Sequence, residues 1–558
     1  MTIAVSTLAP IGENRPGAEW WRSAVIYQVY PRSFADANGD GMGDLAGVTA
    51  HLDDLVSLGV DAIWLSPFYP SPQNDAGYDV ADYCDVDPRF GTLADFDRML
   101  YAAHDRGIRV VVDLVPNHSS SEHEWFQAAL AAGPGSPERA RYLFRDGKGE
   151  HGELPPNNWV SVFGGPGWTR VPEADGTPGQ WYLHLFDVTQ PDFDWTNPEV
   201  HEFFKNVLRF WLDRGVDGFR VDVAHGLAKD GELPDTIISD DPSMGGGEHV
   251  APYWGQEPVH DIYREWNAVL REYDGDRALC AEAWLPTVDE TALWVRSDEM
   301  HQAFNFPYLT TKWDADDLRE VISESLRAYP AVGAPATWVL SNHDVIRHAT
   351  RLALTADTPR DGGIGPRTEA RPIPGLGQRR ARAATTLMLA LPGSAYLYQG
   401  EELGLPEAVD LTDDVRQDPT WFRTNGEKYG RDGCRVPLPW TADAPAFGFN
   451  DTGASWLPQP DEWARFARDA QEDDPASTLW LYRTLLANRR QYGLGAGSIE
   501  WLSGYPSDVI AVRNGDVTVV VNLGSEPVVL PAGTLVVASE PLAGGALPAD
   551  TAVWLLAG

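Results

Sequence analysis

GFRVDVA, residues 218–224, is a short β-branched and aromatic run that carries a guanidinium and a carboxylate two residues apart. On a strand, residues i and i+2 share a side, so Arg220 and Asp222 stand next to each other. Runs of the same kind recur along the chain: VIYQVYPRSF (25–34), AIWLSP (62–67), IRVVVDLVPNH (108–118), ALCAEAW (278–284), FNFPY (304–308), TWVLSNHD (337–344) and AYLYQGEE (395–402). Each is short and ends in polar residues, as barrel strands do. Helical patterns lie between most of them. VTAHLDDLVSLG (48–59) and PEVHEFFKNVLRFWLDRG (198–215) repeat apolar residues at i, i+3 and i+4 and stop at glycine. Eight strand–helix units predict an α/β fold, a (β/α)8 TIM barrel.

Two intervals break the alternation. About 100 residues separate the third and fourth strands, far more than a βα loop needs. Residues 119–190 are rich in Gly, Pro and Trp and read as a subdomain inserted over the barrel. Beyond residue 480, DVIAVRNGDVTVVVNLGSEPVVL sets Asn514-Gly515 between β-branched runs, a hairpin signal. The expected division is a catalytic barrel over 1–118 and 191–480, an insert over 119–190 and an antiparallel β domain over 481–558.

The chain has 558 residues, enough for a large core with appended domains, and a formal net charge of −39. That charge argues against nucleic acid or an anionic membrane as partner. No run is apolar enough for a membrane span, and residues 1–17 show no basic start followed by a long apolar stretch. Three cysteines without metal-type spacing suit a reduced, cytoplasmic setting.

In such a barrel the active site lies at the C-terminal ends of the strands. Arg220 beside Asp222 reads either as a structural ion pair or as a carboxylate held ionised, which a covalent nucleophile needs. Glu282 ends the next strand with Trp284 two residues on; a carboxyl against an aromatic wall stays protonated, as a general acid must. Asp344 is a third acid at a strand end, and His118 and His343 are neutral donors suited to sugar hydroxyls. An ionised Asp and a protonated Glu across one pocket are the parts of a retaining glycoside hydrolase, whose carboxyl groups stand about 5–5.5 Å apart. Proton transfer and a carboxylate suffice, so no organic cofactor is expected.

These residues also carry a resemblance. DLVPNH (113–118), GFRVDVAHG (218–226), AEAW (281–284) and SNHD (341–344) resemble the signature regions of the α-amylase superfamily, glycoside hydrolase family 13. QPDFDW (190–195), WWRSAVIYQVYPRSF, NDAGYDV (74–80), SVFGGPGW (161–168), QGEELG (399–404) and GRDGCRVPLPW (430–440) look like its α-glucosidase and oligo-1,6-glucosidase branch. The resemblance spans about residues 20–490 and looks close to actinobacterial α-glucosidases. It implies that Asp222 is the nucleophile, Glu282 the acid–base and Asp344 the stabiliser of the transition state. It implies that Arg220 holds Asp222, that His118 and His343 bind hydroxyls, and that Tyr78 offers a stacking face. Asp75 with Arg435 then grips the terminal hydroxyls and closes the pocket, and Phe163 walls the scissile bond. Together these imply an exo-acting glucosidase on small α-glucosides. A transglucosidase, sucrose isomerase or trehalose-forming enzyme would share the same covalent intermediate. The branch reads RDNARTPMQW where this chain has RDGCRVPLPW; Arg435 is kept there and Arg431 ranks behind it. Val223 after the nucleophile suggests α-1,6 cleavage, but Ala224-His225-Gly226 departs from that pattern and leaves the linkage open.

DANGDGMGDLAG, residues 36–47, resembles half of an EF-hand, but it follows a strand and has Gly47 where a bidentate Glu belongs. Asp36, Asn38, Asp40 and Asp44 with the carbonyl of Met42 either wrap one hard cation or form a turn closed by its own Asx bonds. The resemblance implies the former, a structural Ca2+ site.

Overall fold

The computed structural model describes residues 19–173, 176–237, 251–356, 362–542 and 544–557. The segment read for a leader, residues 1–17, lies outside the described residues, as does the start of the expected barrel range.

Eight short strands form one parallel sheet: β1 (Val25–Val29), β2 (Ala62–Leu65), β3 (Arg109–Leu114) and, after the inserted strands β4 (Phe144–Arg145), β5 (Trp168–Pro172) and β6 (Pro178–Leu183), β7 (Gly218–Val221), β8 (Ala278–Ala281), β9 (Gln302–Ala303), β10 (Thr337–Val339) and β11 (Ser394–Tyr398). β1 lies between β11 and β2, the order runs on through β3, β7, β8 and β9, and β10 pairs with β11. A parallel bridge from Phe304 to Thr337 closes the ring.

Side-chain alternation divides each strand between two cores. Ile26, Trp64, Val111, Cys280, Val339 and Tyr396 pack inside the barrel. Their neighbours Tyr27, Ile63, Val110, Phe219, Val221 and Leu397 pack outward among the helices. The register sets Asp113 opposite Arg220 and Arg220 opposite Cys280. The inward row therefore runs on past the strand ends to Asp222 and Glu282, two residues beyond Arg220 and Cys280.

Local chemistry sets the helix ends. The helix Pro198–Arg214 starts at Asn197, whose side chain accepts from Glu199 N–H, with Pro198 in the first turn, and stops at Gly215 at φ +106°. The helix expected over 48–59 is instead two pieces, Leu45–Ala50 and Leu52–Leu58, joined at His51. FNFPY, expected as the sixth strand, is displaced. β9 precedes it, and Phe306–Thr310 is a helical turn capped by Asn305 with Pro307 in its first turn. Proline's fixed φ favours that start over a strand.

The insert is a small antiparallel sheet, ordered β4-β6-β5. Its return segment pairs with the end of the third barrel unit: Ser119 N–H donates to Pro191 O, and Phe193 N–H to Asn117 O. Trp159, Trp168, Leu183 and Leu185 form a core with Val223, Tyr253 and Trp254, so the insert packs on the loop that follows the candidate nucleophile.

The C-terminal layer contains β12 (Ile499–Trp501), β13 (Val509–Asn514), β14 (Val517–Asn522), β15 (Val528–Val529), β16 (Gly533–Ala538), β17 (Ala546–Leu547) and β18 (Thr551–Ala557). Five form an antiparallel sheet, β12-β13-β14-β18-β16. The boundary expected at 480/481 falls inside the helix Thr478–Gln491, so the β layer itself starts at Ile499. The predicted hairpin is present with Gly515 at φ +56°, but Asn514 is the last strand residue rather than a turn residue. Its buried side chain donates to Ala390 O and Leu494 O, which ties the sheet to the barrel. Among the described residues no helix is long and apolar enough to cross a membrane.

Candidate active site

A pocket opens over the strand ends. Asp222 and Glu282 line it together with Asp344, Asp75, Tyr78, His118, Phe163 and Arg431.

One side is built around Arg220, which is 1% exposed. Its Nη1 donates to Asp222 Oδ1 at 2.6 Å and to both oxygens of Asp113 at 3.0 and 3.2 Å. Nη2 lies 3.7 Å from Glu282 Oε2, so a single guanidinium faces three carboxyl groups. Burial raises Asp222 well above the usual carboxylate range; Arg220 opposes this, while Glu282, Asp113 and Asp344 add to it. Burial likewise pushes Asp113 up to about 6 against Arg220.

Glu282 differs from the expectation in one respect. Trp284 is not an inert wall: its Nε1–H donates to Glu282 Oε1 at 2.7 Å. The second oxygen, Oε2, accepts from the backbone N–H of Val223, also at 2.7 Å.

The other side carries two guanidiniums. Arg431 Nη2 donates to Asp75 Oδ1 (2.7 Å), Nη1 to Asp344 Oδ1 (3.1 Å) and Nε to Asp418 Oδ2 (2.6 Å). Arg435 Nη2 donates to Asp344 Oδ1 (2.9 Å) and its Nε to His343 O (2.8 Å). Asp75 is thus paired with Arg431, the arginine ranked second from sequence, while Arg435 stands behind Asp344. Burial works against ionisation of Asp344, whose Oδ2 lies 3.2 Å from His343 Nε2, but the facing charges win and hold its carboxyl well below the usual range. The two guanidiniums are the cause that persists at neutral pH, because burial pulls His343 far below the usual imidazole range and leaves it neutral. Burial raises Asp75 to about 6, with Arg431 and Arg435 opposing.

The histidines are held rather than loose. His343 is stacked on Tyr78, with ring centroids 5.2 Å apart and planes 6° apart, and its Nδ1 lies 2.7 Å from Gln28 Nε2. His118 is pulled down to about 4 by burial; its Nε2 lies 3.2 Å from Tyr78 O and its Nδ1 3.1 Å from Asn117 Nδ2. Tyr78 donates its hydroxyl to Asp113 Oδ2 at 3.1 Å. Phe163 lies against Arg431, 5.0 Å from ring centroid to guanidinium carbon.

Several features of the site escape the sequence reading. Asp113 shares Arg220's inward row and register, a signal that strand parity alone offers. Lys229, with its side chain 3% exposed, donates to Asn117 Oδ1 and Gly226 O and pairs with Asp192, joining the insert to the nucleophile loop. Val223 adopts φ +47°, a conformation that nothing in its identity announces.

The loop read for a cation is closed by its own turns. Asp36 accepts from Gly39 and Gly41 N–H and from Asn450 Nδ2, and Asp44 from Ala37, Asn38 and Gly47 N–H. Asn38 Oδ1 accepts from Asp40 N–H, and Asp40 Oδ1 from Met42 N–H. Among the described residues no three acidic, histidine or cysteine side chains gather at metal-binding distance.

Residues 28–496 match the family model described as alpha amylase, catalytic domain, and residues 495–554 match a domain of unknown function (DUF3459). A probable alpha-glucosidase of Rhizobium meliloti (strain 1021) is 39% identical over 501 residues, covering 87% of this chain and 86% of its own. An oligo-1,6-glucosidase of Parageobacillus thermoglucosidasius is 35% identical, covering 85% of this chain and 84% of its own. The solved structure of the alpha-glucosyl transfer enzyme XgtA is 36% identical, with TM-score 0.82, over 98% of this chain and 100% of that one.

Proposed function

The chain belongs to the α-amylase family, and from that membership and the pocket's geometry we propose that it is a retaining exo-α-glucosidase acting on small α-linked glucosides. The observation that carries this reading is Arg220, which bonds Asp222 and stands 3.7 Å from Glu282 in one pocket.

The residues divide the work as follows. Arg220 occupies Asp222 Oδ1 and leaves Oδ2 for the anomeric carbon. As the Asp222–C1 bond forms, the bond from C1 to the leaving oxygen breaks, and that oxygen takes the proton of Glu282. Glu282, now ionised, draws a proton from water, whose oxygen displaces Asp222 and restores both groups. Asp344, ionised beside Arg431 and Arg435, accepts hydroxyl hydrogens of the ring as positive charge develops at C1. Tyr78 and Phe163 supply faces, His118 and His343 supply donors, and the Asp75–Arg431 pair grips the terminal hydroxyls. A pocket closed at that end releases one terminal glucose per event.

Transfer to a sugar hydroxyl uses the same intermediate and differs only in the acceptor. The likeness to an alpha-glucosyl transfer enzyme supports transfer as a side activity or as the main outcome. Chromatography of products from maltose, isomaltose, sucrose and trehalose tests the reading. Glucose formed without any longer or isomerised sugar supports hydrolysis, and early build-up of an isomerised or longer sugar overturns it in favour of transfer.

We also propose that the 36–47 loop holds one structural Ca2+. An all-oxygen donor set suits a hard cation, and Asp36 Oδ1, Asn38 Oδ1 and Asp40 Oδ1 each accept a single turn bond. Asp36, Asn38, Asp40, Asp44 and the Met42 carbonyl would hold it far from the reacting bond. Metal analysis with melting curves in chelator decides this: bound calcium and a lowered Tm support it, and neither removes it. The three free cysteines support a reduced, cytoplasmic setting, which subcellular fractionation tests.

A further inference from the structure

We propose that Trp284 is a positioning residue: its indole N–H and the backbone N–H of Val223 clamp the two oxygens of Glu282 in the orientation that protonates the leaving group. The inference rests on the reading of Glu282 as general acid.

The terminal torsion of a glutamate is broad, so one hydrogen bond leaves its carboxyl free to swing. Here both oxygens are held, Oε1 by Trp284 Nε1–H and Oε2 by Val223 N–H, each at 2.7 Å. The indole is itself fixed. It stacks on Phe306 with centroids 3.7 Å apart and planes 6° apart, and both rings belong to the barrel-interior core. Phe306 opens the helical turn after β9, so the clamp is anchored on a neighbouring unit of the barrel.

The second jaw sits in an unusual backbone conformation. Val223 at φ +47° lies in the left-handed region that β-branched residues avoid. The surroundings over-determine it: Ala224 N–H donates to Glu282 O, Gly226 N–H to Val223 O, and Tyr263 hydroxyl to Ala224 O. A Cβ on Gly226 would lie 2.7 Å from Val223 Cγ1 and 2.6 Å from Trp254, so the turn closes only around glycine. Strain of this kind persists where it serves a site, and here it aims an amide at the acid.

An acid works only with its proton within hydrogen-bond reach of the leaving oxygen. The clamp therefore matters in the step where the C1–O bond breaks and the leaving oxygen takes the Glu282 proton. It does not matter to kcat/KM, which reports formation of the Asp222–C1 bond, when the leaving group needs no proton. α-D-Glucosyl fluoride separates the cases: the same Asp222–C1 bond forms, and fluoride departs as the anion.

The experiment compares kcat/KM on a disaccharide and on α-D-glucosyl fluoride for the parent, Trp284→Phe, Phe306→Leu and Glu282→Gln, with melting curves for each. Trp284→Phe keeps the ring and loses the N–H. It is expected to lose about ten- to a hundredfold on the disaccharide and less than about threefold on the fluoride. Phe306→Leu keeps the donor but frees its plane, and gives a smaller loss with the same selectivity. Equal losses on both substrates, or no loss on either, in both variants overturn the clamp. Glu282→Gln separates the two levels: if it too shows no selectivity, the acid assignment itself fails. If Glu282→Gln is selective and Trp284→Phe is not, the clamp alone fails.

Discussion

The two sides of the pocket hold similar side chains but share out their guanidiniums differently. On the Arg220 side one guanidinium faces the carboxyls of Asp113, Asp222 and Glu282. On the Asp344 side Arg431 and Arg435 both bond Asp344, and Arg431 also bonds Asp75 and Asp418. Burial is severe on both sides, so the number of guanidiniums bonded to each carboxyl decides the outcome. Where one guanidinium serves three carboxyls, burial pushes Asp222 and Asp113 upward. Where two guanidiniums converge on one carboxyl, Asp344 stays ionised although buried, whereas Asp75, bonded by Arg431 alone, is raised to about 6. The first side can move protons and make a bond; the second supplies fixed charge for binding and for the transition state.

Removing a group from the proton-moving side is expected to have the largest effect. Asp222→Ala should lower kcat by about 10⁴-fold or more with the fold intact, as loss of a covalent nucleophile does. Near-parental turnover in that variant breaks the comparison outright. On the fixed-charge side, Arg431→Met should lower kcat/KM about ten- to a hundredfold, mainly through KM, because it releases both Asp75 and Asp344. Steady-state kinetics on maltose or isomaltose separates the two patterns. A pure kcat effect would show that the second side shares in the bond-making chemistry.

A pH experiment sharpens the contrast within the second side. Burial raises Asp75 to about 6, whereas Asp344 is held well below the usual range. Below about 6 Asp75 is protonated and loses both its charge against Arg431 and its capacity to accept from two hydroxyls. KM should therefore rise several-fold between pH 7 and pH 5. Asp75→Asn should have an already raised KM and lack this limb. An unchanged limb in the variant assigns it to another group.

The smallest effect on catalysis is expected far from both sides. Asn514→Ala removes two buried hydrogen bonds between the C-terminal sheet and the barrel. It should cost about 2–3 kcal/mol of stability by chemical denaturation and leave kcat/KM unchanged.

Much of this layout was legible in the chain because strands announce themselves through alternation and active-site residues follow the strand ends. Asp222 and Glu282 lie on inward rows that parity alone predicts, whereas Asp344 falls off the parity of inward-facing Val339 and is placed by the turn after its strand. The misreadings have physical causes. FNFPY looked like a strand because aromatics favour strands, but Asn305 and Pro307 start a helical turn there. Trp284 was read by its apolar ring, while its N–H is what meets Glu282. Arg431 and Arg435 are one turn apart, and only tertiary placement shows that Arg431 reaches Asp75. The positive φ of Val223 is imposed by its neighbours and has no local signature.

The central claim is that Asp222 forms a covalent intermediate, so the glucose released keeps its configuration. Proton NMR of the anomeric signals during the first minutes of hydrolysis of an α-glucoside tests this before mutarotation mixes the anomers. The account predicts that α-glucose appears first and β-glucose only later. β-Glucose as the first product would mean direct displacement by water and would contradict it.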